Sequence, residues 1–192
     1  GEVGSKPDLM RFTVAKGAAA FGTNCAPCHG RGAQGFVGYP NLNDDDWLWG
    51  GTIDDIHHTI EVGIRSDHAE TRASDMPRFG LDQLLTNNQI SDTAEYVLSL
   101  SGHSEDKAAA ERGAAIFAEQ CAACHGETGA GTQEMGAPNL ADAIWLYGNR
   151  KEDVVRSIET GRGGKMPAWA GRLDELTIKA LAVYVQSLGG GG

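Results

Sequence analysis

The sequence predicts an all-α chain made of two similar helical domains in tandem. Three observations carry that expectation: an internal repeat, helix-capping signals in both copies, and loops rich in glycine and proline with little strand character. The repeat is the strongest of them. GAAAFGTNCAPCHG (17–30) matches GAAIFAEQCAACHG (113–126) without a gap, and YPNLNDDDWLWGG (39–51) matches APNLADAIWLYGN (137–149). DDIHHTIEVGIR (54–65) aligns with EDVVRSIETGRG (152–163), MPRFG (76–80) with MPAWA (166–170), and AEYVLSL (94–100) with AVYVQSL (182–188). The order never changes, so the unit is roughly ninety residues long, and two such units make sibling domains rather than a solenoid. The expected partition is an N-terminal segment, 1–11, then one domain at 12–102 and a second at 103–192. The polar stretch SGHSED (101–106) forms the join.

Each copy reads as helix, loop, helix, loop, helix. Ser104, Glu105 and Asp106 form a helix start, a capping hydroxyl followed by acids in the positive first turn. DKAAAERGAAIFAEQ after them is a strong helix former. Thr52 with Asp55 and Thr86 with Gln89 have the spacing of capping boxes for the middle and last helices of the first copy. In the last helix of the second copy, Ile178, Leu181, Val185 and Leu188 share one face. Domains this small bury only a modest core, and these contain many glycines and alanines. Something other than side chains is expected to fill the middle.

Charge and composition exclude several functions. The formal charge of -10 argues against nucleic acid and against an acidic membrane surface. It suits either a lysine-rich partner face or simple solubility. No apolar run is long enough to cross a bilayer, and GEVGSKPDLM lacks the basic start and apolar core of a signal peptide. An extracytoplasmic role would therefore require a leader or anchor outside this sequence.

The four cysteines all fall in CAPCHG (25–30) and CAACHG (121–126). A zinc site would need ligands beyond each Cys-x-x-Cys, and a thioredoxin-like dithiol would need a βαβ pattern that is absent. Covalent haem attachment needs two thiols placed for the two vinyl groups of a porphyrin, with an imidazole next in line for the iron. Cys-x-x-Cys-His supplies that set twice. Two haem c are expected, one on Cys25 and Cys28 with His29 as axial ligand, the other on Cys121 and Cys124 with His125. No cysteine remains for a disulfide.

Met76 and Met166 occupy matching places, each before a proline that biases the backbone towards an extended conformation. A methionine more often fills a core gap, but two in register behind two haem motifs point to thioether ligands for the iron. Ligation within each domain is the simpler arrangement, and exchange of the two methionines between domains is the alternative. His57, His58, His68 and His103 have no histidine counterparts and read as surface or partly buried residues, with His68 the one competitor for Met76. Trp47, Trp49, Trp145 and Tyr147 either pack on a haem edge, donate to propionates, or serve the ordinary core. Arg65 and Arg162 end the middle helices, where a cation meets a propionate or only the helix dipole.

YPNLNDDDWLWGG, GIR before MPRFG, AEYVLSLSG, GAPNLADAIWLYG and GRGGKMPAW together resemble the di-haem subunit III of cbb3-type cytochrome c oxidases. The resemblance runs over nearly the whole chain from about residue 12, with Trp-Leu-Trp-Gly and Trp-Leu-Tyr-Gly its most telling segments. It implies two class I cytochrome c domains, each a few helices wrapped around a haem c with His and Met ligands. It implies a place on the periplasmic side of the cytoplasmic membrane, behind an anchor this sequence lacks. Electrons would pass from a soluble donor cytochrome c to the other subunits of the terminal oxidase, with no catalytic chemistry in this chain. A free-standing di-haem carrier and a di-haem peroxidase are the alternatives; the second would need an open position on one iron, which matching methionines oppose.

Overall fold

The computed structural model describes residues 7–189. Its helices are α1 (Pro7–Asn24), α2 (Ala26–His29), α3 (Ile53–Val62), α4 (Asn87–Leu100), α5 (Lys107–Gln120), α6 (Ala122–His125), α7 (Lys151–Thr160) and α8 (Glu175–Gln186), with a 3-10 turn at Gln133–Met135. Among the described residues, extended pairing occurs only as isolated bridges, so the chain is helical as predicted. Residues 1–6 of the expected N-terminal segment lie outside the described residues, and Pro7 already begins α1.

The capping signals are partly as read. Thr86 and Gln89 form the full reciprocal box at α4. Thr52 accepts the Asp55 N–H, but the Asp55 carboxylate takes the Thr52 hydroxyl at 2.6 Å, so only half of that box is made. At α5 the cap is Asp106, which accepts the Ala109 N–H at 3.0 Å. Ser104 donates its hydroxyl to Glu95 instead, because a buried carboxylate needs the donor more than an exposed helix end does.

The structure divides the chain differently from the two consecutive domains the repeat predicts. One compact unit is the continuous stretch Ser74–Gly163; the other joins Gly1–Ala73 to Gly164–Gly192. The last helix of each repeat therefore belongs with the other repeat's first helices: α8 packs on α1 and α3, and α4 packs on α5 and α7. The six residues 101–106 explain the second grouping, since a connection that short favours an antiparallel hairpin of its flanking helices.

Each grouping is built on one of a matching pair of glycines. A Cβ on Gly17 would overlap the Ala180 carbonyl, and one on Gly113 would overlap the Asp92 carbonyl. Ala180 and Asp92 are themselves repeat equivalents, so the same close helix approach is made twice, each time across repeats. Phe21 stacks on Tyr184 and Phe117 on Tyr96, with ring centroids 5.4 and 5.0 Å apart. Phe21, Ile60 and Leu181 centre one core; Phe117, Ile90 and Ile158 centre the other. Each such buried side chain contributes about 1.5–3 kcal/mol. On α8, Ile178, Leu181 and Val185 are buried as the helical spacing predicts, and Leu188 packs at the edge.

Candidate functional site

The two Cys-x-x-Cys-His segments fold identically because their geometry is local. Cys25 ends α1, its N–H bonded to the Phe21 carbonyl at 2.9 Å, and its own carbonyl accepts from Cys28 and His29 at 3.1 and 2.9 Å. Cys121 repeats this with Phe117, Cys124 and His125 at 2.9, 3.1 and 3.0 Å. One turn of helix thus carries both thiols and the imidazole. The glycine that follows closes it: Gly30 and Gly126 sit at φ 82° and 77°, where a side chain would be strained.

Both imidazoles are held the same way. Nδ1 of His29 lies 3.1 Å from the Pro40 carbonyl, and Nδ1 of His125 lies 3.1 Å from the Pro138 carbonyl. A carbonyl only accepts, so Nδ1 carries the proton and Nε2 is left as the free lone pair. Burial favours the neutral ring, pushing both histidines below their ordinary pKa against the opposing pull of that carbonyl. These proline carbonyls belong to the Pro-Asn-Leu segments; the repeat marked the segments, but only the fold shows what the carbonyls do.

The thiols are free, with no disulfide among them. Cys25 and Cys121 are pushed up to about 11, by burial first and by the neighbouring thiol second, and so stay neutral. Among the described residues no group of three or more His, Cys, Asp and Glu is placed to hold a metal ion, so neither thiol pair has a zinc ligand set around it.

The methionines separate from the histidines of their own repeats. Met166 packs on the core that contains Cys25, Phe21 and Ala33, and is fixed there by mutual backbone bonds with Ile64 at 2.9 and 3.0 Å. Met76 packs on the core that contains Cys121 and Phe117, with its carbonyl against Gly161. The fold brings His29 into one unit with Met166, and His125 into one unit with Met76. By unit, each methionine thus lies with the thiols and imidazole of the other repeat, the alternative to the simpler arrangement.

The remaining candidates sort themselves by partner. His68 accepts the Glu70 N–H in its own turn at 3.1 Å. His57 lies 3.8 Å from Glu61, and Nδ1 of His103 lies 3.1 Å from the Ser101 hydroxyl. Trp47 and Trp145 pack against the two cores. Arg65 donates to the Gly164 carbonyl at 3.0 Å. It is Arg72, which the repeat did not single out, that lies over Trp49, as Arg162 lies over Tyr147.

These residues fit a c-type haem in each unit: paired thiols, an imidazole presenting Nε2, and a thioether on the same core. Comparison with known proteins agrees. The family model described as cytochrome c matches residues 14–101, and that described as cytochrome c oxidase, cbb3-type, subunit III matches 108–185. The cbb3-type cytochrome c oxidase subunit FixP of Bradyrhizobium diazoefficiens is 56% identical over 191 residues, covering 99% of this chain and 66% of the relative. Subunit CcoP of Cereibacter sphaeroides is 54% identical over 190 residues, covering 98% and 66%. Subunit CcoP of Azospirillum brasilense is 50% identical over 197 residues, covering 99% and 67%. The chain thus spans about two thirds of the length of these curated relatives.

Proposed function

The chain belongs to the subunit III family of cbb3-type cytochrome c oxidases, and from that membership and the site geometry we propose that it is a two-centre electron relay. Each unit is a site for one covalent haem c, which supplies reversible one-electron exchange between Fe(III) and Fe(II) when bound. The polypeptide's part is to bind and to hold. Cys25 and Cys28 anchor one group, Cys121 and Cys124 the other. His29 is steadied by Pro40 and His125 by Pro138, so each ring would keep its orientation towards the bound group.

The opposite ligands are exchanged: Met166 serves the site of His29, and Met76 serves the site of His125. What supports this is the common core that each methionine shares with the first thiol of the other repeat, Met166 with Cys25 and Met76 with Cys121. As iron ligands, Met76 and Met166 would supply soft thioether sulfur, which would favour electron transfer over peroxide chemistry.

In the whole protein the relay takes electrons from a soluble donor cytochrome c and passes them to the other subunits of a terminal oxidase. It works on the periplasmic side of the cytoplasmic membrane. No described helix is long and apolar enough to cross a membrane.

The test is spectroscopic. Protein produced with haem-attachment machinery should gain the mass of two haems and show, when ferric, a Met–Fe charge-transfer band of double intensity. It should also pass one electron per haem to a small cytochrome. A bare-chain mass would refute the relay; fast cyanide binding at one haem with peroxide turnover would replace it with a peroxidase.

A further inference from the structure

An arginine lies over an aromatic ring in each unit, near matching aspartates, and the two arginines come from positions that do not correspond in the repeat. In the unit of His29, the Arg72 guanidinium lies 5.7 Å from the centre of the Trp49 ring, with Nη2 3.4 Å from both the carbonyl and the Oδ1 of Asp55. In the unit of His125, Arg162 lies 5.0 Å from the centre of the Tyr147 ring, and its charge helps hold the Asp153 carboxyl down, after the larger effect of Arg150. Trp49 matches Tyr147 in the repeat, and Asp55 matches Asp153. Arg72 and Arg162 do not match: Arg72 lies in the stretch after Arg65 that has no counterpart, whereas Arg162 stands two residues beyond α7.

Two routes to one cation position mark the position as useful in itself. Packing alone does not explain it. The Arg72 side chain is only 16% exposed, and its Nε is buried with no hydrogen-bond partner. An unmet donor on a desolvated guanidinium is costly unless an acceptor meets it. Asp55 sits at the long end of hydrogen-bonding distance and reaches only Nη2, so a further acceptor is called for. Its place is given by the backbone. Arg72 pairs with Ile64, which pairs in turn with Met166, and Arg162 follows Gly161, whose backbone abuts the Met76 carbonyl. Each guanidinium is thus carried by backbone adjoining the methionine segment.

We propose that Arg72 and Arg162 are equivalent positioning residues for the carboxylate side chains of the two bound haems. The chemistry fits. A c-type haem carries two propionates, anions entering a partly buried site, and a guanidinium meets a carboxylate with two parallel N–H donors. The aromatic ring beneath fixes the plane of the fork. A cation at that place offsets the propionate charge, which would otherwise favour Fe(III), and so raises the potential of its own haem.

The inference rests on the two-haem reading and is tested on the full holo-protein by redox titration of Arg72→Gln and Arg162→Gln. Each substitution should shift the Fe(III)/Fe(II) equilibrium of one haem about tenfold towards Fe(III), ~59 mV for one electron, and leave the other haem in place. Arg72→Gln should affect the haem whose potential also responds to Met166→His. Arg72→Lys should restore most of the shift, and its propionate bending bands in resonance Raman spectra should move while haem content stays full. Midpoints and bands unchanged in all three arginine variants, with only the melting temperature lowered, would reduce each arginine to a helix-end clamp. The same haem shifted by both Gln variants would also overturn the proposal. A parent protein without haem would instead sink the underlying relay.

Discussion

The ring of Phe21 lies 5.4 Å from that of Tyr184, 163 positions later in the chain, at an interplanar angle of 60°. Its repeat equivalent, Phe117, meets Tyr96 rather than Tyr184. Each aromatic pair takes one ring from each repeat, so neither repeat can complete its own core.

Cutting the chain should expose this. The fragment 74–163 is one continuous compact unit and should fold alone and load a single haem. The fragment 103–192 contains a whole sequence repeat but lacks α4, and should remain largely unfolded or pair with a second copy. Circular dichroism, haem content and gel filtration of the two fragments decide between these partitions. A monomeric, haem-loaded 103–192 would count against the exchanged packing.

The ligand exchange has its own test. In protein carrying Cys25→Ala and Cys28→Ala, one haem remains, on Cys121 and Cys124. Its Met–Fe band should survive Met166→Ala and vanish with Met76→Ala. Band loss in the reverse pattern would restore ligation within each repeat.

The helix approaches should be intolerant of one methyl group. Gly17→Ala and Gly113→Ala each drive a Cβ into a backbone carbonyl of the facing helix, and overpacking of this kind costs about 1–3 kcal/mol. Gly22, also in α1, has open space around its missing Cβ, so Gly22→Ala should stabilise by about 0.5–1 kcal/mol. Thermal unfolding of the three variants should show opposite signs.

Glu95 makes the α4–α5 hairpin sensitive to acid. Only 3% exposed, it accepts from Ser104 Oγ, Glu105 N and Asp106 N at 2.7, 3.2 and 3.3 Å, and pairs with Lys151 Nζ at 2.9 Å. Burial works to raise its pKa, but Lys151, Ser104 and the Asp106 N–H together outweigh it and bring the carboxyl to about 2 from the usual 4.5. A carboxyl lowered in the folded state stabilises above its unfolded pKa and loses that contribution as pH falls through the folded one. Stability should therefore drop between about pH 4.5 and about pH 2. Glu95→Gln should cost about 1–3 kcal/mol at pH 7 and flatten that part of the pH profile. Denaturant titrations across the range provide the check.

The sequence by itself determined the helices, the duplication, both Cys-x-x-Cys-His turns and the set of eight attachment and ligand candidates. Those features are local: Cys25 to His29 are tied by bonds within one helical turn, and a repeat reproduces them wherever the chain goes. Tertiary structure alone decided which methionine accompanies which histidine and that Arg72, not Arg65, stands where Arg162 does. Similar repeats offer similar helix faces: Gly17 on α1 seats α8 and Gly113 on α5 seats α4 in the same way, so local pattern does not choose. The choice falls to connectivity and charge. The short 101–106 link folds α4 back onto α5, and Arg112 grips Asp92 there through two bonds of 2.8 and 2.6 Å. Glu95 fastens the link itself, where its repeat equivalent is Val183. With α4 thus taken, α8 is left to close the other core, and it brings Met166 with it.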